Sequence, residues 1–217
     1  MKKLSLLTIS ILLSAVSVNS QDLKRTFNFI EIENGFNFSE FDFSGSDTTS
    51  SFISGDYSPQ THLGFRLVRN LSKSFQLSVV TSIDKYKIIG EPIDEFNTNL
   101  SYDLNYILNG LELSYMKDLS GAFTIGINAG ASMNRLLSGF QNIGGSTYNI
   151  LNTGFEKVTH GYNYGFIVIH KTSDNIGWFF RYNIQVSEDM FESDASLESY
   201  VIRTRGLSLG LRIKLTQ

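Results

Sequence analysis

Few residues in this chain could do acid–base or metal chemistry. Its 217 residues hold three histidines, His62, His160 and His170, and no cysteine. No two of the histidines have zinc-like spacing, and neither an HExxH run nor an EF-hand loop occurs. Without cysteine there is no thiolate metal site, cysteine nucleophile, disulfide framework or lipoprotein anchor. The pair Gly144-Gly145 does not follow a strand and open a helix, so it implies no phosphate-cradling loop. One constellation remains, His160 with the acidic residues Glu188, Asp189, Glu192 and Asp194. An imidazole oriented by a carboxylate can serve as a general base, which defines a rim-active enzyme as one alternative. The same acids with Glu198 could instead hold the divalent cations that bridge lipopolysaccharide, since hard cations take oxygen ligands. A solvated acidic loop is the preferred reading of both. The chain is read as a non-enzyme that needs no cofactor.

Composition narrows the classes further. Aromatics make up 13% of the chain and the formal charge is only −3, which excludes a disordered protein. Lys and Arg number 18 against 21 Asp and Glu, so no basic surface for nucleic acid is expected. The charged fraction, 18%, falls below the roughly 25% of soluble domains. Met1-Lys2-Lys3, an apolar run from Leu4 to Val18, and small residues up to Ser20 have the layout of a secretory signal peptide. Cleavage is expected before Gln21, leaving residues 21–217 as one exported domain. Loss of Lys2 and Lys3 takes the formal charge from −3 to −5.

Beyond Gln21 the apolar residues recur with period two rather than at helical spacing. The clearest face runs Ile176, Trp178, Phe180, Tyr182, Ile184 and Val186; the next runs Phe123, Ile125, Ile127, Ala129, Ala131 and Met133. The pattern predicts eight strands near 26–38, 60–68, 74–87, 99–117, 122–136, 160–171, 175–187 and 199–215. Within 99–117 the alternation changes parity near Leu108-Asn109-Gly110, where a β-bulge is expected. Three connections are short and turn-forming, at 69–73, 118–121 and 172–175. The other four, near 39–59, 88–98, 137–159 and 188–198, are long and polar or Gly-rich. Their strict alternation puts all long loops at one end of an up-and-down sheet.

Alternation alone does not say which face is wet. A soluble lipocalin-like barrel carrying an apolar ligand buries its apolar face, whereas a membrane barrel turns it to lipid. The polar face here is rich in Gly, Ser, Asn and Thr and poor in Lys and Glu. Several segments also reach the roughly 9–11 residues a tilted membrane strand needs. Both features favour a closed, all-β, eight-stranded antiparallel transmembrane β-barrel. Tyr102, Tyr106, Tyr115, Tyr164, Trp178 and Tyr182 are then expected in interfacial girdles.

The same parity directs Glu31, Glu33, Arg66, Glu112, Arg181, Arg212 and Lys214 into the lumen, with Asp84 higher up. Charges in a low-dielectric interior must pair, so a salt-bridge ladder is expected, with Glu31 and Glu33 near Arg66 and Arg212. Eight strands leave a space that side chains fill, so no open channel is expected. Phe41, Phe43, Phe52 and Tyr57 lie among Ser, Thr and Gly in the first long connection. They are read either as folded onto the rim or as contacts for a partner.

The order of these segments resembles the small outer-membrane barrels of Bacteroidota grouped as PorT-like. The resemblance rests on Glu33-Asn34-Gly35-Phe36-Asn37-Phe38-Ser39, on Leu111–Lys117 running into Asp118-Leu119-Ser120-Gly121, and on the terminal segment Gly206–Leu215. The terminal aromatic frequent in outer-membrane barrels of other bacteria is missing, since the chain ends Leu215-Thr216-Gln217. The resemblance implies integral residence in the outer membrane, with its lipid and lipopolysaccharide as neighbours. It also implies a structural or accessory role in an envelope protein complex, type IX secretion being the namesake's association. It transfers no site residue.

Overall fold

The computed structural model describes residues 26–44, 52–54, 59–90, 100–152, 158–189 and 199–215. Its strands are β1 (Phe29–Ser44), β2 (Phe52–Ser54), β3 (Gln60–Asn70), β4 (Phe75–Gly90), β5 (Leu100–Asp118), β6 (Phe123–Ile143), β7 (Ser146–Asn149), β8 (Val158–Lys171), β9 (Ile176–Asp189) and β10 (Ser199–Lys214). A 3-10 turn, η1 (Ile150–Asn152), follows β7. Eight of the strands form a ring in which β1, β3, β4, β5, β6, β8, β9 and β10 are antiparallel neighbours in turn. Pairing of β1 with β10, from Phe29 opposite Lys214 to Ser44 opposite Ser199, closes it. Closure leaves these strands no open edge, which suits a backbone with no water to bond.

The three tight turns share one device. Ser72, Ser120 and Ser173 each accept, through Oγ, the backbone N–H three residues on, at 3.0–3.1 Å from Phe75, Phe123 and Ile176. Leu71, Leu119 and Thr172 donate their backbone N–H to the carbonyls of the same three residues. Leu-Ser-x-x-Phe thus recurs at 71–75 and 119–123, with Thr-Ser-x-x-Ile at 172–176. Serine competes well for local backbone groups, so it ends one strand and starts the next. Outside the apolar zone at this end, the Thr124 hydroxyl and the Lys171 ammonium hold the Asp118 carboxyl below its ordinary range.

The long-loop side differs from the sequence expectation in three respects. Strand β1 does not end near Phe38 but runs to Ser44, and β2 pairs with it, Phe43 opposite Phe52. Phe41, Phe43 and Phe52 are therefore strand residues: unbroken pairing with β10 and with β2 carries β1 through Ser39 and Glu40, where the apolar residues change parity. Tyr57, Glu192, Asp194, Glu198 and the segment 1–20 lie outside the described residues. Strand β6 likewise continues to Ile143 and turns back into β7 through Gly144 and Gly145, at φ 55° and 85°. Two successive positive φ values are what a two-residue hairpin of matching twist requires, and glycine adopts them without strain.

The third difference is the bulge. It does not lie at Leu108–Gly110; the register breaks where Asn105 pairs with Ser138 and Tyr106 with Leu136, leaving Leu137 as the extra residue on β6. Strand β5 keeps one parity throughout, with Leu104, Tyr106, Leu108, Glu112 and Ser114 all buried inward. What reads as a slip in sequence is a change from an apolar to a polar interior.

Inside and outside are sharply unlike. Buried Glu31, Glu33, Arg66, Asp84, Glu112, Arg181 and Arg212 face inward. Outward stand Ile32, Phe36, Leu63, Phe65, Leu113, Ile127, Trp178 and Leu209, each between 41% and 65% exposed. A soluble protein does not expose so continuous an apolar wall. No helix among the described residues is long and apolar enough to cross a membrane; the strands do the crossing. Tyr115, Tyr164 and Trp178 lie on the outer wall. Tyr106 does not: it is 1% exposed and points into the lumen, and Tyr102 packs beside the same interior cluster.

Candidate functional site: the filled lumen

The lumen is built from β1 outward. Glu31 and Glu33 alternate with Ile30 and Ile32, so both carboxylates enter the barrel from one strand. Across β1, Glu31 lies opposite Arg212 on β10 and Arg66 on β3. Glu31 accepts Arg212 Nε at 2.6 Å, a second short bond from Arg212 Nη2, and Arg181 Nη2 at 2.6 Å. Glu33 accepts from Arg66 Nη1, from Ser208 Oγ at 3.0 Å, and faces His62 Nε2 at 3.0 Å. Glu112 on β5 receives Arg181 Nη1 at 3.1 Å, Asn128 at 3.0 Å and Asn163 at 3.1 Å. Arg181 on β9 is the crosspiece, joining two walls of the barrel through Glu31 and Glu112.

Such charges are costly to desolvate, and the cost is met only when ion pairs and hydrogen bonds together satisfy them. The asparagines and serines of the polar face do this work. Arg212 also donates to Gln76 at 3.1 Å, and Arg66 Nε lies 3.8 Å from Glu112. Space matters too. A Cβ at Gly64 would lie 2.6 Å from Glu33 Oε1, so only glycine leaves room for that carboxylate.

Above this network sits a group that the charge pattern did not single out. His62 Nδ1 meets Asp84, while Asp84 also accepts Asn37 Nδ2 at 2.6 Å and Ser82 Oγ at 2.9 Å. Because His62 Nε2 reaches Glu33, the imidazole ties Asp84 to the arginine network. The signal was in the inward parity of both residues, but pairing them needs the register His62 opposite Asp84. Lys214 stands apart. It is exposed, with no ion pair among the described residues, and lines a recess of about 580 Å³ at the turn end with Lys171 and Arg212.

Apolar side chains close what the ions leave. Tyr86, Leu104, Tyr106, Leu108, Leu136 and Ile202 fill the lumen on the long-loop side, and Ile150 of η1 drops in among them. Ile150 rests against Gly139, where a Cβ would approach it to 2.7 Å. Toward the turns, Met116, Ile167, Ile169 and Phe179 form a second cluster. Between these lies a cavity of about 60 Å³ lined by His62, Arg66, Asp84, Asn163, Gln185 and Thr204. That volume suits about two waters.

His160 lies on the outer wall, not in the lumen. It faces Glu188 across β8 and β9, its Nε2 3.9 Å from that carboxylate, too long for a hydrogen bond. His170 stacks on Phe123 at the turn end, ring centroids 4.8 Å apart. Among the described residues, no group of three His, Asp or Glu side chains could hold a metal ion.

The closed ring, its outward apolar wall and its division into short turns and long loops define an integral outer-membrane β-barrel. Among solved structures, the outer membrane protein OprG from Pseudomonas aeruginosa superposes with a TM-score of 0.50 at 12% identity, over 87% of this chain and 96% of that one. Neisserial surface protein A gives 0.44 at 17% identity, over 86% and 96%. The outer membrane protease OmpT from Escherichia coli gives 0.45 at 7% identity, over 86% and 96%. At these identities the likeness is one of fold, and the OprG superposition carries it. No protein-family model matches the sequence, and no curated protein matches it.

Proposed function

We propose that this chain, exported by residues 1–20, serves as a plugged, non-catalytic barrel of the outer membrane. In this reading it neither conducts nor catalyses. It is a structural or interaction protein, presenting its long-loop side to an envelope protein complex while its wall contacts outer-membrane lipid and lipopolysaccharide. The PorT-like resemblance of Glu33–Ser39 and Gly206–Leu215 makes type IX secretion the first machine to test.

One observation carries this reading: the lumen is spanned by Arg181 between Glu31 and Glu112 and stoppered by the cluster around Tyr106 and Ile150. Ions and solutes need a continuous wet path, and side chains occupy it. Against a rim enzyme stands the place of His160 on the outer wall, 3.9 Å from its one carboxylate partner among the described residues. Against a soluble carrier stands the exposed apolar exterior.

Two measurements test the proposal. In planar bilayers the purified mature protein should show no stepwise conductance, and ion-selective steps would sink the plug. Purification of a tagged form from native membranes in mild detergent, with mass spectrometry, should recover stoichiometric envelope partners. Recovery as a lone monomer would remove the accessory role.

A further inference from the structure

On the outer wall one polar side chain stands within an apolar patch. Asn34 on β1 points away from the lumen and is exposed. Along its own strand it stands between Ile32 and Phe36, 47% and 55% exposed; across the sheet it lies opposite Leu63 on β3 and Leu209 on β10, 54% and 65% exposed. These four nearest neighbours on that face are all apolar and exposed. The Asn34 carboxamide has no hydrogen-bond partner among the described residues. Two other polar pairs of the outer wall are satisfied within the sheet. Thr81 donates to Asn109 at 3.0 Å, and Asn105 donates to Ser138 at 2.7 Å.

A carboxamide has two donors and two acceptor lone pairs, and in hydrocarbon no water satisfies them. Something must. Lipid acyl chains offer no donor or acceptor, so the partner is a polar group held at the same depth by another protein wall. A carboxamide is also its own complement. Two Asn34 side chains related by a two-fold axis can each donate an N–H to the other's carbonyl oxygen, and an isologous contact brings the same residues of both copies together.

We propose that the β10–β1–β3 wall is a self-association surface, on which a second copy of this chain docks in the membrane plane with the two Asn34 amides bonded across the axis. Ile32, Phe36, Leu63 and Leu209 surround that bond and keep it dry. The proposal rests on the outer wall facing lipid.

The chain has no cysteine, so one introduced thiol is unique. Leu209→Cys places it beside Asn34 while keeping the amide; Ile127→Cys on β6, 64% exposed, places it on a different wall. Carbonate-washed native membranes are treated with a short bis-maleimide. Leu209→Cys should give an adduct of twice the monomer mass, and Ile127→Cys none above collisional background. Adding Asn34→Leu to Leu209→Cys should lower the adduct yield roughly 3- to 30-fold, the range expected for interhelical-type polar contacts in membranes. Asn34→Leu removes a polar group from a lipid-facing site, so the barrel still folds, and heat-modifiable gel mobility checks it. No adduct from membrane-retained Leu209→Cys overturns the self-association alone, as does an adduct that Asn34→Leu leaves unchanged. An adduct of another mass overturns the choice of a second copy. Release of the protein by carbonate overturns the lipid-facing reading and this proposal with it.

Discussion

Arg181 shows how much can hang on one side chain in a closed barrel. Its guanidinium reaches Glu31 at 2.6 Å and Glu112 at 3.1 Å, and lies 3.5 Å from Glu33. Replacing it with an apolar residue of similar length would leave three buried carboxylates short of countercharge. Removing one partner of a buried pair is far costlier than the net worth of the pair, because the survivor stays desolvated. Arg181→Met should therefore destabilise the barrel by about 3–5 kcal/mol, read as a lower midpoint in urea unfolding of the detergent-solubilised protein. A loss under about 1 kcal/mol would mean that the network behaves like a surface pair. The carboxylates and guanidiniums of this network were legible in sequence, because period two sorts inward from outward. His62 and Asp84 were not joined there. Their contact depends on a register that no local pattern encodes.

At the scale of elements, the turn ends are strongly written and the loop ends weakly. Ser72, Ser120 and Ser173 close their turns with local bonds, so the sequence around each carries its own instruction. The long-loop ends of β1 and β6 instead depend on partners far along the chain, β10 and β5. Their boundaries could not be placed from propensity, because Ser, Asn and Asp on an exposed strand read like loop. The bulge at Leu137 was displaced for a related reason. An inward Leu104, Tyr106 and Leu108 look in sequence like an outward apolar run. Ile150 on η1 gives this region a test. A side chain at Gly139 would meet Ile150 at 2.7 Å, so Gly139→Val should expel η1 from the lumen. Expected are faster amide exchange and new protease sensitivity across 146–152, at a cost of about 1–3 kcal/mol. Unchanged protection at Ile150 would show that η1 is not seated by that gap.

For the whole molecule, the decisive property is which side of the sheet meets lipid. Trp178 is the only tryptophan and stands 55% exposed on the outer wall of β9. In vesicles containing brominated acyl chains its fluorescence should be strongly quenched, with a blue-shifted maximum in unbrominated lipid. Emission like that of tryptophan in water, unaffected by bromine, would put the apolar wall somewhere other than a bilayer. The fold needed little beyond the sequence: alternation with period two, three short serine turns and four long connections constrain an up-and-down sheet, since each feature is local. Closure was different, because joining β1 to β10 pairs residues about as far apart as the chain allows. Only the closed ring decided that Arg181 spans the lumen, that Tyr106 faces inward, that Lys214 stays outside the network and that Asn34 stands on the outer wall. Side-chain period assigns a residue to one of two faces. Which face is inside, and which charges meet across it, is fixed only when the strands are brought round and the interior has to be filled and neutralised.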